Sequence, residues 1–214
     1  MSAICIDLDG TLTDPQLGIT RCIRYALEKL GRPVSGDTDL TWCIGPPLLG
    51  SFEQLLGNRR DAARALAFYR ERFGEVGLLE NEVYGGIPEA LTALGESGAR
   101  LFVATSKPTV YAKQIIEHFG LMPHFEDVLG SELDGTRADK TDLIGWLMQR
   151  KALAGTTTIM VGDRRYDIVG ARNNGLRSIG VLYGYGGRDE LVEAGADKLC
   201  RQPDELAGLV DALR

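Results

Sequence analysis

Ala3-Ile4-Cys5-Ile6-Asp7-Leu8-Asp9-Gly10-Thr11-Leu12-Thr13 reads as a short apolar strand that runs into two carboxylates and a glycine turn. Side chains alternate along a strand, so Asp7 and Asp9 are expected on one face, with Gly10 letting the backbone turn sharply beside them. Two carboxylates beside a tight loop suit a divalent cation and a phosphate. Asp-Gly by itself is an ordinary turn, so the weight of the stretch depends on what stands at the ends of the later strands.

Working outward, Leu101-Phe102-Val103-Ala104 and Ile159-Met160-Val161 are continuously apolar, as strands are when helices cover both sheet faces. From residue 87 the pattern alternates: helix over 87–97, strand over 100–105, helix over 108–119 with Pro108 in its first turn, and a short apolar piece at 127–129. A helix over 139–150, a strand at 157–161, a helix through Ala171, a strand at 178–182 and closing helices at 192–194 and 206–213 complete it. This predicts an α/β fold, a doubly wound, Rossmann-like parallel sheet, whose ligands gather beyond the carboxyl ends of the strands. Between 14 and 83 the texture is helical: Ile19, Ile23, Ala26, Leu27 and Leu30 recur at helical spacing, Gly31-Arg32-Pro33 stops that helix, and 46–57 and 61–74 follow. The expected organisation is a core of 1–13 and 84–214 with a helical insertion of 14–83.

A hydrophobic fraction of 44% over 214 residues is enough for a substantial core. A net charge of −6 speaks against broad binding to nucleic-acid polymers or anionic membranes, so any phosphate site is basic only locally. Neither a basic-then-apolar leader nor an apolar run of bilayer length is present, and the expected location is cytoplasmic. Cys5, Cys22, Cys43 and Cys200 are scattered without a Cys-x-x-Cys pair, which fits reduced core thiols rather than zinc or redox chemistry. His118 and His124 read as surface or packing residues.

Three later segments carry chemistry. Thr105-Ser106-Lys107 offers two hydroxyls, backbone amides and an ammonium just before a helix, the groups a phosphoryl group needs. Gly162-Asp163-Arg164-Arg165-Tyr166-Asp167 supplies two more carboxylates where a helix begins, Asp163 suited to ligate a metal and Asp167 to ligate or orient. Lys140 opens a helix after a loop and offsets the repulsion among so many negative groups.

In that order, Asp7-x-Asp9-Gly10-Thr11, Thr105-Ser106-Lys107, Lys140 and Gly162-Asp163-x-x-x-Asp167 resemble the four motifs of haloacid-dehalogenase-superfamily phosphatases. The resemblance spans the chain, takes in the helical insertion as a cap between the first two motifs, and extends to the phosphoglycolate phosphatase-like branch. It implies that Asp7 is the nucleophile forming an aspartyl-phosphate, and that Asp9 protonates the leaving alcohol and then deprotonates the hydrolytic water. It further implies near-octahedral Mg²⁺ on the Asp7 carboxylate, the Asp9 carbonyl and Asp163, steadied by Asp167, with Thr105 and Lys140 on the phosphate oxygens. Gly10, Thr11, Ser106 and Lys107 are expected to help bind substrate.

Specificity is expected from the cap, at Trp42, Gly45 and Pro46 in Trp42-Cys43-Ile44-Gly45-Pro46-Pro47-Leu48. That segment and Val181-Leu182-Tyr183-Gly184-Tyr185-Gly186 resemble bacterial 5'-nucleotidase-like members of the branch, which points to a 5'-nucleotide as the small phosphorylated metabolite. Phosphoglycolate phosphatase, a phosphosugar phosphatase or mutase, and a non-catalytic binder of a phosphorylated ligand stand as alternatives. Asp9 argues against a dehalogenase, which has no leaving alcohol to protonate. The expected assembly is a monomer or a homodimer.

Overall fold

The structure is a computed structural model, described over residues 2–214. Six parallel strands make the main sheet: β1 (Ala3–Ile6), β4 (Arg100–Pro108), β5 (Asp127–Ser131), β6 (Thr158–Gly162), β7 (Arg177–Val181) and β8 (Lys198–Cys200). Their order is β5-β4-β1-β6-β7-β8, so the chain winds outward from β1 first in one direction and then in the other. This is the doubly wound α/β sheet expected. Two short strands, β2 (Thr13–Asp14) and β3 (Glu82–Val83), pair with each other where the chain leaves and re-enters the main unit.

Alternation along the strands divides the core between the two sheet faces. Ala3, Cys5, Phe102, Ala104, Leu129 and Met160 form one apolar layer with Ile144 and Leu147 of α6 (Lys140–Lys151) and Ala171 of α7 (Arg165–Asn173). Ile4, Ile6, Leu101, Val103, Ile159 and Val161, on the other face, are equally buried. Burial on both faces is why these strands carry no polar alternation. The unit is completed by α4 (Ile87–Glu96), α5 (Thr109–His118), α8 (Arg188–Ala194) and α9 (Leu206–Asp211).

The chain divides into two compact units, 1–13 with 83–214, and 14–82. The second holds α1 (Gln16–Lys29), α2 (Leu48–Leu56) and α3 (Arg59–Arg72). Left-handed Gly31, at φ +70°, ends α1 with Arg32 N donating to the Leu27 carbonyl. Tyr69 stacks on Phe73 and meets Phe52 edge-on. Residues 73–77 widen into a π-helical turn closed by Leu78 N on the Phe73 carbonyl, 2.8 Å.

Several boundaries differ from the sequence reading. β4 continues through Thr105-Ser106-Lys107 to Pro108, with a register shift against β5 between Thr105 and Pro108. Pro108 is therefore an extended residue ahead of α5, not part of its first turn. The edge strand β8 and the pair β2–β3 were not expected, and α8 begins at Arg188 instead of 192.

Candidate active site

The end of β1 lies between β4 and β6, so the segments that follow all three strands converge there. Asp7 N continues the ladder by donating to the Val161 carbonyl at 2.9 Å. The chain then winds tightly: the amides of Leu12 and Thr13 both donate to the Leu8 carbonyl, and Gly10 takes φ +81°. Because β1 stops at Ile6, simple alternation does not hold through Asp9, and the carboxylates of Asp7 and Asp9 engage different partners.

Asp7 Oδ1 accepts the Leu8 amide at 2.7 Å and lies 3.1 Å from Lys140 Nζ. The same ammonium lies 2.7 Å from Asp167 Oδ1 and donates to the Ala104 carbonyl at 2.9 Å. Lys140 is held at the first turn of α6 by its N-cap, Asp139, whose carboxylate accepts the Thr141 and Asp142 amides. Burial alone would depress the Lys140 pKa, but the charges of Asp167 and Asp7 outweigh it and hold the ammonium well above its ordinary value.

Carboxylate oxygens of Asp7, Asp163 and Asp167 lie within 4.8 Å of one another, all three residues buried. Asp163 Oδ2 accepts the Tyr185 amide at 2.8 Å, and Thr11 Oγ1 donates to Oδ1 at 3.4 Å. Asp167 stands in the first turn of α7 and accepts the Arg164 amide at 3.1 Å. Burial, then the neighbouring Asp167 and Asp7, push Asp163 well above the carboxylate range, and burial raises Asp167 despite Lys140. Three buried acids with one ammonium against two of them are short of positive charge. A hard divalent cation fits that donor set.

Asp9 is paired with a different cation. Its Oδ2 lies 2.7 Å from Lys107 Nζ, while Oδ1 is buried without a hydrogen-bond partner. Burial raises the Asp9 pKa and Lys107 opposes that rise. Thr105, Ser106 and Lys107 ride the β4 bulge: Lys107 N donates to Thr105 Oγ1 at 3.2 Å, and Ser131 Oγ to the Ser106 carbonyl at 2.8 Å.

The structure thus brings together Asp7, Asp163, Asp167, Lys140, Thr11 and, through Asp9, Lys107. Lys140 and Thr11, expected on substrate, have protein carboxylates as their partners. Trp42, Gly45 and Pro46 belong to the helical unit, Trp42 half-buried in a 3-10 turn and Gly45 at φ +103°. What the sequence reading missed is the glycine cradle of Asp163. A Cβ on Gly10 would overlap the Asp163 carboxylate, one on Gly184 would overlap both the Gly10 carbonyl and Asp163, and one on Gly186 would overlap the Asp163 carbonyl. The Gly-Tyr-Gly spacing just after β7 was the available signal.

Fold and acidic centre together define the class, an α/β enzyme of Rossmann-like build with a cluster of buried carboxylates at the carboxyl edge of a parallel sheet. The chain belongs to the haloacid dehalogenase-like hydrolase family, whose model matches residues 4–181. It is 50% identical over 189 residues to a protein named 5'-nucleotidase from Pseudomonas aeruginosa, covering 88% of this chain and 86% of that one. Tyrosine-protein kinase PtkA of Mycobacterium bovis is 35% identical over 99% of this chain and 70% of its own. Among solved structures, a predicted phosphatase from Clostridium acetobutylicum superposes with a TM-score of 0.95 at 42% identity, over 99% of this chain and 98% of the other.

Proposed function

We propose that the protein is a Mg²⁺-dependent phosphomonoester hydrolase that works through an aspartyl-phosphate on Asp7, with a 5'-nucleotide as its substrate class. The observation that carries the reading is the division of labour at the end of β1: Asp7 sits with Asp163, Asp167 and Lys140, while Asp9, two residues on, has a different cation, Lys107, as its ion-pair partner. A nucleophile and an acid–base group need such different environments. The choice of a nucleotide draws on the 50% identical relative named 5'-nucleotidase.

In this scheme Asp7 attacks phosphorus, held in orientation by the Leu8 amide and Lys140. Asp9 gives a proton to the departing alcohol and then takes one from the water that hydrolyses the acyl-phosphate. Thr105 Oγ1 accepts from Lys107 N, which leaves its own proton to donate to a phosphate oxygen. Asp7 and Asp163 would hold Mg²⁺ with the Asp9 carbonyl, steadied by Asp167. Bound there, the ion supplies the positive charge that lets a dianionic phosphate approach. The helical unit, 14–82, is assigned the choice among leaving groups.

The test is phosphate release with Mg²⁺ across 5'-nucleotides, 2-phosphoglycolate, sugar phosphates and phosphotyrosine. Nucleotides should turn over fastest, and Asp7→Asn should lower the rate by at least about a thousandfold, because the covalent step is gone. Substantial turnover by purified Asp7→Asn overturns the nucleophile, and a preference for 2-phosphoglycolate overturns the substrate class.

A further inference from the structure

Lys107 is a cation whose partner, Asp9, the sequence reading did not anticipate. Its side chain and that of Asp9 are nearly enclosed, 6% and 12% exposed, with Nζ 2.7 Å from Oδ2. Asp9 Oδ1 is buried and has no hydrogen-bond partner. A buried unpaired oxygen in a folded protein calls for a reason, and a group that acts on a visiting molecule supplies one.

The backbone that carries Lys107 is itself fixed. The register of β4 slips against β5 between Thr105 and Pro108. Opposite the slip stands Gly130, where a Cβ would overlap the Lys107 carbonyl. The Ser131 hydroxyl ties down the neighbouring Ser106 carbonyl, and Thr105 Oγ1 ties down the Lys107 amide. A bulge that re-aims one side chain is a recurring device beside active sites.

We propose that Lys107 is a positioning residue for Asp9: by holding Oδ2 it leaves Oδ1 as the oxygen that exchanges a proton with the leaving group and with water. This rests on the assignment of Asp9 as acid and base. In the first step the Asp7–phosphorus bond forms as the bond from phosphorus to the leaving oxygen breaks. The bonding pair goes to that oxygen, and the proton on Oδ1 passes to it. In the second, water attacks phosphorus, its proton passes to Oδ1, and the pair of the breaking acyl-phosphate bond returns to the Asp7 carboxylate. Lys107 keeps its proton throughout.

Leaving-group dependence separates this role from a phosphate contact. p-Nitrophenyl phosphate departs as a stabilised phenolate that needs no proton, whereas benzyl phosphate departs as an alkoxide that does. Lys107→Met should lower kcat/KM for benzyl phosphate by about a hundredfold or more and for p-nitrophenyl phosphate by less than about tenfold. Lys107→Arg should restore most of the benzyl rate. Equal losses on the two substrates, or no loss on either, overturn the proposal. Lys107→Gln, which removes the charge but keeps a donor, gives the same comparison if the methionine variant does not fold. Asp9→Asn is measured alongside: if it treats both substrates alike, the acid–base assignment has failed, whereas discrimination by Asp9→Asn but not by Lys107→Met defeats the positioning role alone.

Discussion

Asp163 is held by what its neighbours lack. Gly10, Gly184 and Gly186 each approach it so closely that a single added methyl would collide with its carboxylate or backbone. Gly184 shows no left-handed φ, so alanine suits its backbone and the cost of Gly184→Ala is steric alone. Overpacking of this kind costs about 1–3 kcal/mol, and the displaced carboxylate should cost activity as well. Denaturant unfolding together with turnover measures both; a variant as stable and as active as wild type would mean that the loop yields. The Tyr185 amide on Asp163 gives the same loop a second task, because that hydrogen bond favours the charged form against the pull of burial.

At the scale of elements, the strands that frame the site were legible because their burial on both faces writes itself as unbroken apolar runs, as in Leu101-Phe102-Val103-Ala104. The bulge of β4 was not, since what allows it is Gly130 on another strand, remote in sequence from Lys107. The three residues of β8 are too few for a period, and α8 opens with Arg188-Asp189-Glu190, where no apolar spacing exists to be read. The four acid and lysine motifs were readable as residue types; that Lys107 faces Asp9 depended on the bulge. In the helical unit, Glu80 is bound by Arg72 at 2.7 Å and by Arg21 at 2.7 Å. The Arg72 hydrogen bond, with Arg21 adding to it, holds the Glu80 pKa below its ordinary value. The folded state therefore binds fewer protons than the unfolded chain, and the stabilisation is complete above the ordinary glutamate value of about 4.3 and disappears as pH falls through the lower folded value. Glu80→Gln should lower the melting temperature at neutral pH, and the gap from wild type should close in acid. A gap that does not vary with pH would assign the effect to packing.

For the whole molecule, folding gathers Asp7, Asp163 and Asp167 into one small volume, a concentration of charge the unfolded chain does not have. A cation that binds only the folded state raises its stability, by about 2.7 kcal/mol at a hundred times its Kd. Calorimetry should show the melting temperature rising with Mg²⁺. Asp163→Asn should melt higher than wild type without the ion, because it relieves the repulsion, and should lose most of the Mg²⁺ response. Equal responses from the two proteins would remove Asp163 from the metal site.

The strand order has a consequence in time. β1 is made before β4 and β6, the strands it pairs with, and the hydrogen bond from Thr11 to Asp163 spans 152 positions of sequence. Contacts of such separation close slowly, and until they close the nascent β1 is an apolar segment with both edges unpaired. The central position that gives Asp7 its surroundings in the finished protein makes the same strand the one most in need of shelter while the chain is being made.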